Sequence, residues 1–234
     1  MAIGTYVLVH GAWHGGWCWA KVARLLRDAG HEVYTPTLTG LGERAHLARP
    51  EVDLETHIQD VVAVLEAEEL RQVTLVGHSY GGMVITGVAA RTSGRIGHLV
   101  YLDAVLPEAG KSLLDYAGER AAALREAAAA QGEGWKVPSF PPERLGVTSQ
   151  RDTEWLNKHL MPQPLRTFEQ PLPAAAGEKL KRTYIYCSKP TTGFFDQFAE
   201  RLRDDRKWTF HDVKTGHDAM VTAPGEIAKI LMGK

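Results

Sequence analysis

Residues 73–82 read Val-Thr-Leu-Val-Gly-His-Ser-Tyr-Gly-Gly, and this stretch decides the fold. Its first four residues are apolar or β-branched and predict a buried strand, and the apolar run 83–90 predicts the start of a buried helix. Between strand and helix, Gly77 and Gly81 flank Ser79 at the spacing of a tight turn. Small flanking residues permit the strained backbone that such a turn imposes on the serine, whose hydroxyl then stands above the sheet at a helix N-terminus. The stretch therefore predicts that Ser79 is a nucleophile.

The composition is that of an ordinary globular domain. The chain has 234 residues, of which 44% are hydrophobic and 24% charged, and its formal net charge is −1. Nothing in this balance favours a nucleic-acid partner, and no apolar run reaches the roughly 20 residues of a membrane span. The N-terminus lacks the pattern of a secretion signal, and Cys18 and Cys187 are too few for a disulfide framework. We therefore expect a cytoplasmic protein with two half-buried thiols and no nucleic-acid or membrane partner.

Strand-like and helix-like segments alternate along most of the chain. Alternation of this kind predicts an α/β fold with a mostly parallel central sheet flanked by helices. We expect strands at 6–9, 32–35, 73–76, 97–102, 183–187 and 208–211. We expect helices at 19–29, 54–68, from 83 onward, at 195–203 and at 224–232.

The segment 107–178 has a different character. It contains most of the prolines, two helix-like stretches near 118–131 and 152–160, and no long buried strand. We interpret it as a mainly helical lid inserted into a core made of residues 1–106 and 179–234, the whole forming a single domain. Such a lid would lie over the strand ends, where ligands bind in α/β folds.

A serine hydroxyl is a poor nucleophile at neutral pH and needs an adjacent base that is oriented by a third group. His217 has a suitable position for the base, because it comes after the predicted strand 208–211 and directly after Gly216, and it precedes the last helix. We predict that His217 takes the proton from Ser79.

The acid that would orient this histidine has two candidates. The loop 188–193, after the strand 183–187, contains no carboxylate, and Asp196 falls where the next helix should already have begun. Asp103 ends the predicted strand 97–102 and would point into the same site, so we favour Asp103 over Asp196 and leave both open. Asp218 ranks last, because the side chain next to His217 would point away from the imidazole.

Three runs resemble the α/β-hydrolase superfamily: 7–17 (Val-Leu-Val-His-Gly-Ala-Trp-His-Gly-Gly-Trp), 76–82 (Val-Gly-His-Ser-Tyr-Gly-Gly) and 216–218 (Gly-His-Asp). More narrowly, they resemble the branch of plant methylesterases, hydroxynitrile lyases and small bacterial carboxylesterases, some of which are pyrethroid hydrolases. The resemblance runs nearly end to end. It implies an α/β-hydrolase fold with a lid, no cofactor, and an oxyanion hole made by the backbone N–H groups of Ala12 and Tyr80. The implied activity is that of a carboxylesterase-type serine hydrolase acting on a small-molecule ester.

Other functions stay open or are disfavoured. Hydroxynitrile lyases of this branch carry a threonine and a lysine at the positions of Gly11 and Asp218, so the sequence argues against such a lyase. No metal-binding motif is present. A hydrolase-fold binding protein or receptor stays open as a function, and a homodimer stays open as the oligomeric state.

Two further histidines are given no catalytic role. We assign no chemistry to His14, and we expect His78 to point away from the site and to be structural.

The lid carries several large apolar residues that suggest an apolar pocket. We expect most of them to pack the lid onto the sheet, and we favour hydrophobic esters as substrates. These residues are Leu113, Leu114, Tyr116, Trp135, Phe140, Trp155, Leu156, Leu160, Met161 and Phe168.

Overall fold

A parallel sheet forms the centre of the molecule. The computed structural model describes residues 3–175 and 179–234. Within these residues the strands are β1 (Thr5–Val9), β2 (Glu32–Tyr34), β3 (Val73–His78), β4 (Ile96–Leu102), β5 (Lys136–Val137), β6 (Gln163–Pro164), β7 (Lys181–Cys187) and β8 (Thr209–Val213). Six of the strands in these ranges form one sheet in the order β2-β1-β3-β4-β7-β8, with every neighbouring pair parallel. The predicted α/β fold with a mostly parallel sheet is confirmed.

Helices cover both faces of this sheet. In the described residues they are α1 (Ala20–Asp28), α2 (Leu54–Ala67), α3 (Gly81–Thr92), α4 (Leu113–Ala117), α5 (Arg120–Gln131), α6 (Gln150–His159), α7 (Arg166–Glu169), α8 (Asp196–Leu202), α9 (Ala219–Thr222) and α10 (Pro224–Leu231). Apolar side chains of α2 and α3 pack with Val7 and Leu75 in one core, and those of α1 and α10 pack with Leu8 and Val76 in a second. Because successive side chains of a strand alternate between faces, the buried apolar strands β1 and β3 supply both cores.

The main deviations from the sequence prediction lie at element ends. A short 3₁₀ helix, Gly16–Trp19, precedes α1, so the regular helix begins one residue later than expected. The last strand runs Thr209–Val213 instead of 208–211. Cys18 and Cys187 are fully buried and not half-buried as expected, because each belongs to the core on the α1 face.

The segment between β4 and β7 contains α4 to α7 and the two short strands β5 and β6, which pair antiparallel with each other. It adds no strand to the central sheet within the described residues. The predicted end of the lid at residue 178 lies outside the described residues. That this segment functions as a lid stays a proposal.

Around the turn between β3 and α3, the backbone leaves no space for a side chain at Gly77 or at Gly82. A Cβ on Gly77 would lie 2.6 Å from the Gly81 carbonyl oxygen, and one on Gly82 would lie 2.0 Å from the Val105 carbonyl oxygen. Ser79 itself has a left-handed backbone with φ of 56°. The strain that the sequence pattern predicts is therefore present at Ser79.

We expect Gly82→Ala to lower the free energy of unfolding by about 3 kcal/mol, because a backbone carbonyl must move to admit the methyl group. The matched control is Gly225→Ala in α10, where nothing lies within 4 Å of the added Cβ. This control should raise the free energy of unfolding by about 0.5 kcal/mol through helix propensity. Urea unfolding of both variants measures the difference, and equal effects would contradict the close approach at Gly82.

Candidate active site

The predicted site residues lie at one edge of the sheet. Ser79 directly follows β3, Asp103 directly follows β4, and His217 lies in the loop between β8 and α9. Ala12 lies in the loop after β1. Since β1, β3, β4 and β8 are parallel members of one sheet, their carboxyl ends bring these residues together.

Ser79 is held by the backbone around it. Its N–H donates to the Leu102 carbonyl at 3.2 Å, and its own carbonyl accepts from the N–H groups of Gly82 and Val105, each at 3.1 Å. Ser79 is half-buried between two buried neighbours, His78 and Tyr80, and it lines a cavity. The turn therefore presents its side chain to the cavity.

His217 and Asp103 form a buried hydrogen-bonded pair. The His217 Nδ1 donates to the Asp103 Oδ2 at 2.7 Å, and the Cys187 N–H donates to the Asp103 Oδ1 at 3.2 Å. Burial raises the pKa of Asp103, while the hydrogen bond and charge of His217 and the Cys187 N–H act in the opposite direction. The Phe195 ring stacks on the imidazole with 4.7 Å between centroids. The pair has the geometry of a base and the acid that orients it.

The other two carboxylate candidates bond elsewhere. Asp196 accepts from the Tyr186 hydroxyl at 2.8 Å and from the Thr191 hydroxyl at 2.6 Å. Asp218 accepts from the His14 Nε2 at 3.0 Å. Of the three, only Asp103 is hydrogen-bonded to the His217 ring within the described residues.

His78 does not line the cavity, yet its ring centroid lies 4.5 Å from that of His217. Its Nε2 donates to the His217 carbonyl at 3.1 Å. The expectation that His78 points away from the site agrees with its absence from the cavity lining, and its structural role stays a prediction. Strand alternation places His78 on the same face of β3 as Val76, which belongs to the core on the α1 face.

Two residues that line the cavity have backbone N–H groups without an acceptor in the described residues. The described residues provide no hydrogen-bond acceptor for the N–H of Ala12 or of Tyr80, and both residues line the cavity beside Ser79. The His10 Nε2 accepts from the Leu38 N–H, so its Nδ1 carries the proton and donates to the Gly11 carbonyl at 2.8 Å. Burial lowers the pKa of His10 to about 3, which keeps it neutral.

The orientation of the Ala12 N–H follows from that hydrogen bond. The Gly11 carbonyl and the Ala12 N–H belong to one peptide unit, and in a trans unit they point in opposite directions. Because the Gly11 carbonyl points at His10, the Ala12 N–H points away from His10. Ala12 and Tyr80 thus supply two unpaired donors next to Ser79, the arrangement that an oxyanion requires.

The segment after β4 fixes the loop next to Ala12. Trp13 has a left-handed backbone with φ of 67°, and its N–H donates to the Gln163 Oε1 at 3.1 Å. Its indole N–H donates to the Val137 carbonyl at 3.1 Å, and its carbonyl accepts from the Met161 N–H at 3.1 Å. Sequence analysis missed Gln163, because one glutamine in a proline-rich segment gives no periodic signal.

The cavity has a volume of about 620 Å³ and a mostly apolar lining. Of the ten apolar residues named above, Leu113, Phe140 and Phe168 line it, and the others except Trp135 pack in or against the two cores. No sequence pattern pointed to the part of the lining that follows β7, which comprises Pro190, Thr191, Thr192, Phe194 and Phe195. The lining comprises Ala12, Trp13, Ser79, Tyr80, Leu113, Ala117, Arg120, Ala123, Leu124, Ala127, Val137, Pro138, Phe140, Glu143, Arg144, Leu145, Phe168, Pro190, Thr191, Thr192, Phe194, Phe195 and His217.

One group of side chains has the spacing of metal ligands. His78, His217 and Asp218 each bring a nitrogen or oxygen within 4.8 Å of the others. The His217 Nδ1 and the His78 Nε2 already donate to Asp103 and to a carbonyl, respectively. These contacts fit hydrogen bonding better than metal coordination.

None of the helices in the described residues is long and apolar enough to span a membrane.

Comparison with known proteins gives the family. The model of the alpha/beta hydrolase family matches residues 6–230. The chain belongs to the α/β-hydrolase family. This hydrolase is 44% identical to the carbendazim hydrolyzing esterase of Nocardioides sp. (strain SG-4G) over 98% of each chain. It is 36% identical to the pyrethroid hydrolase of Sphingobium wenxiniae over 112 residues, which cover 47% of this chain and 39% of that one.

Solved structures agree with this assignment. An extracellular α/β-hydrolase from a Paenibacillus species, described as sharing structural and functional homology with tobacco salicylic acid binding protein 2, superimposes with a TM-score of 0.81. It is 26% identical, and the match covers 98% of this hydrolase and 97% of that chain. Tomato methylketone synthase I superimposes equally well with a TM-score of 0.81 at 18% identity, covering 100% and 98% of the two chains, which shows the common fold.

Proposed function

We propose that the chain is a serine hydrolase that cleaves carboxylic esters of small, hydrophobic substrates through an acyl-enzyme. One observation carries the proposal: His217, which is hydrogen-bonded to Asp103, lines the same cavity as Ser79 and as Ala12 and Tyr80, whose N–H groups have no acceptor in the described residues. The two relatives named above, an esterase and a pyrethroid hydrolase, support ester cleavage as the reaction class.

The proposed reaction has two acyl-transfer steps. His217 Nε2 takes the proton from Ser79 as the hydroxyl oxygen attacks the ester carbonyl carbon. Asp103 holds the ring by Nδ1 and stabilises the imidazolium, while the N–H groups of Ala12 and Tyr80 bind the oxyanion. The alcohol then leaves with the proton from His217, and water attacks the acyl-enzyme in the same way.

Turnover of p-nitrophenyl acetate and butyrate tests the proposal. We expect many equivalents of p-nitrophenol per chain, because the acyl-enzyme must be hydrolysed to regenerate Ser79. A hydrolase-fold receptor or binding protein is the competing function. Release that stops at one equivalent or fewer would favour that competitor and overturn the proposal.

A hydroxynitrile lyase is the other alternative, and the residue at position 11 disfavours it. A Cβ on Gly11 would lie 2.8 Å from the Ser79 Cβ and 2.8 Å from the His78 Nδ1. The branch's lyases have threonine there, and this backbone leaves no room for its side chain. We therefore expect no release of cyanide from mandelonitrile under conditions in which p-nitrophenyl butyrate is hydrolysed.

The apolar cavity predicts a size limit for the acyl group. Ala127 lines the cavity from α5, and Ala130 lies exposed on the same helix outside the lining. We expect Ala127→Trp to raise KM for p-nitrophenyl butyrate about tenfold and to leave KM for the acetate within about twofold, because the indole fills the apolar space. Ala130→Trp is the control and should change neither KM. Equal changes for both esters would contradict binding of the acyl chain beside α5.

A further inference from the structure

A second buried histidine–carboxylate pair lies beside the proposed triad and takes no part in it. The His14 Nε2 lies 3.0 Å from the Asp218 Oδ2, and the two side chains are 2% and 0% exposed. His14 belongs to the oxyanion loop, residues 10–17, and Asp218 is the last residue of the base loop, residues 214–218. The pair therefore joins the loop that supplies the Ala12 N–H to the loop that supplies His217.

Hydrogen-bond partners limit the protonation states that His14 and Asp218 can have. Its Nδ1 lies 2.7 Å from the Ala12 carbonyl oxygen, which can only accept, and its Nε2 faces the Asp218 carboxylate. A neutral imidazole has one N–H, whereas an imidazolium has two. Two states satisfy both contacts: an imidazolium that donates to both oxygens, or a neutral ring whose Nε2 accepts a proton from the Asp218 carboxylic acid. Burial alone lowers the pKa of His14, but the Asp218 charge and the two hydrogen bonds together raise it above the ordinary value.

The titratable groups around His14, other than Asp218, carry no charge that would repel or neutralise an imidazolium there. His10 and His78 face His14, and burial holds the pKa of both well below the ordinary value, so both are neutral. Burial also raises the pKa of the nearby Cys18 thiol, which stays protonated. The Asp218 Oδ1 has no hydrogen-bond donor in the described residues and lies 3.8 Å from the His78 Nε2. His14 is therefore the one cation that neutralises Asp218 among these neighbours.

The pair acts on the proposed machinery through backbone contacts. The His14 Nδ1–H holds the carbonyl of Ala12, whose own N–H is a proposed oxyanion donor. Asp218 is covalently next to His217, and its N–H donates to the Leu145 carbonyl at 3.0 Å. Loss of the His14 side chain would free the Ala12 carbonyl and release the base loop from the oxyanion loop at the same time.

We propose that His14 and Asp218 are positioning residues, a buried imidazolium–carboxylate pair that fixes the oxyanion loop against the base loop. The proposal rests on the proposed function, because it assigns the pair to the reaction of that site. Neither side chain lines the cavity, so the pair acts through Ala12 and His217 and not on the substrate.

Nitrogen-15 NMR of the wild-type imidazoles tests the charge. At about pH 8, where an ordinary histidine is neutral, we expect one histidine with both ring nitrogens protonated, and His14→Gln should remove its signal. A His14 with one bare ring nitrogen at that pH would overturn the proposal, because a neutral imidazole beside a protonated Asp218 satisfies the same contacts.

Kinetics of Asp218→Asn and His14→Gln test the positioning role. We expect each to lower kcat for p-nitrophenyl butyrate at least about tenfold with KM within about twofold, because displaced donors and base affect the transition state. The double variant should be no slower than the worse single variant, since the two act as one unit. The control is Asp152→Asn, which breaks the ion pair of Asp152 with Lys21 at 2.7 Å, outside the cavity lining, and should keep kcat within about twofold.

A folded Asp218→Asn with a wild-type kcat would overturn the proposal. If neither variant folds, the wild type still decides, because its kcat should fall at alkaline pH with the same midpoint as the deprotonation of His14 seen by NMR, and separate midpoints would overturn the proposal. The proposed function fails differently. Its failure would appear as absent ester turnover in the wild type, whatever the state of His14.

Discussion

Ser79→Ala is expected to lower kcat/KM for p-nitrophenyl butyrate by about 10⁴- to 10⁶-fold, because the acyl-enzyme cannot form without the hydroxyl. The residual rate would come from binding and from the unpaired N–H groups of Ala12 and Tyr80. Since the methyl side chain fits the same turn, the fold should persist, and circular dichroism and the urea midpoint check this. Steady-state hydrolysis at several substrate concentrations gives the kinetic comparison.

Ser188→Ala is the matched control for this substitution. Ser188 follows β7 and lies outside the cavity lining, and its hydroxyl accepts from the Lys214 ammonium at 3.1 Å. We expect its kcat/KM within about twofold of the wild-type value. A folded Ser79→Ala that keeps more than about a tenth of the wild-type kcat/KM would contradict the assignment of the nucleophile.

Asp103→Asn is expected to lower kcat by about 10⁴-fold, because an amide can hold His217 in the wrong tautomer and does not stabilise the imidazolium. The matched control is Asp196→Asn. Asp196 lies near the site, yet its carboxylate accepts from Tyr186 and Thr191 and not from His217. We expect this control to change kcat by about threefold or less. A large loss of kcat in Asp196→Asn alone would show that the acid is Asp196.

The turn that carries Ser79, the proposed nucleophile, could be predicted from the sequence because its signal is local. The order of strand, glycine, serine, glycine and helix constrains the backbone within ten residues, and the observed φ of 56° at Ser79 agrees with that constraint. The parallel sheet could also be predicted, since apolar β-branched runs alternate with helical periodicity. Element ends deviated by one or two residues, because fraying and 3₁₀ turns such as Gly16–Trp19 leave no compositional trace.

The proposed acid is harder to find from the sequence, because its partner is distant in the chain. Asp103 and His217 are 114 positions apart, and their contact depends on the neighbouring positions of β4, β7 and β8 in the sheet. The place of Asp103 at a strand end favours it, but the sequence could not exclude Asp196. The structure adds the observation that Asp103, and not Asp196, is hydrogen-bonded to His217, which supports the proposal.

The side-chain contacts that hold the loop after β1 in place could not be predicted from the sequence. His14 and Asp218 are 204 positions apart, and Gln163 reaches Trp13 over 150 positions. Each of these side chains is a single polar residue in a loop or short segment, without periodicity or motif. Their partners depend on how the segment between β4 and β7 and the base loop pack on the oxyanion loop, which is a tertiary property.

Labelling with an alkyl fluorophosphonate tests the central claim most directly, since this reagent reacts with an activated serine and leaves a stable adduct. Intact-mass analysis and peptide mapping of the wild type and Ser79→Ala give the stoichiometry and the position. We predict one adduct per wild-type chain, on the peptide that contains Ser79, and none on Ser79→Ala. An adduct on another residue, or labelling that persists in Ser79→Ala, would contradict the account.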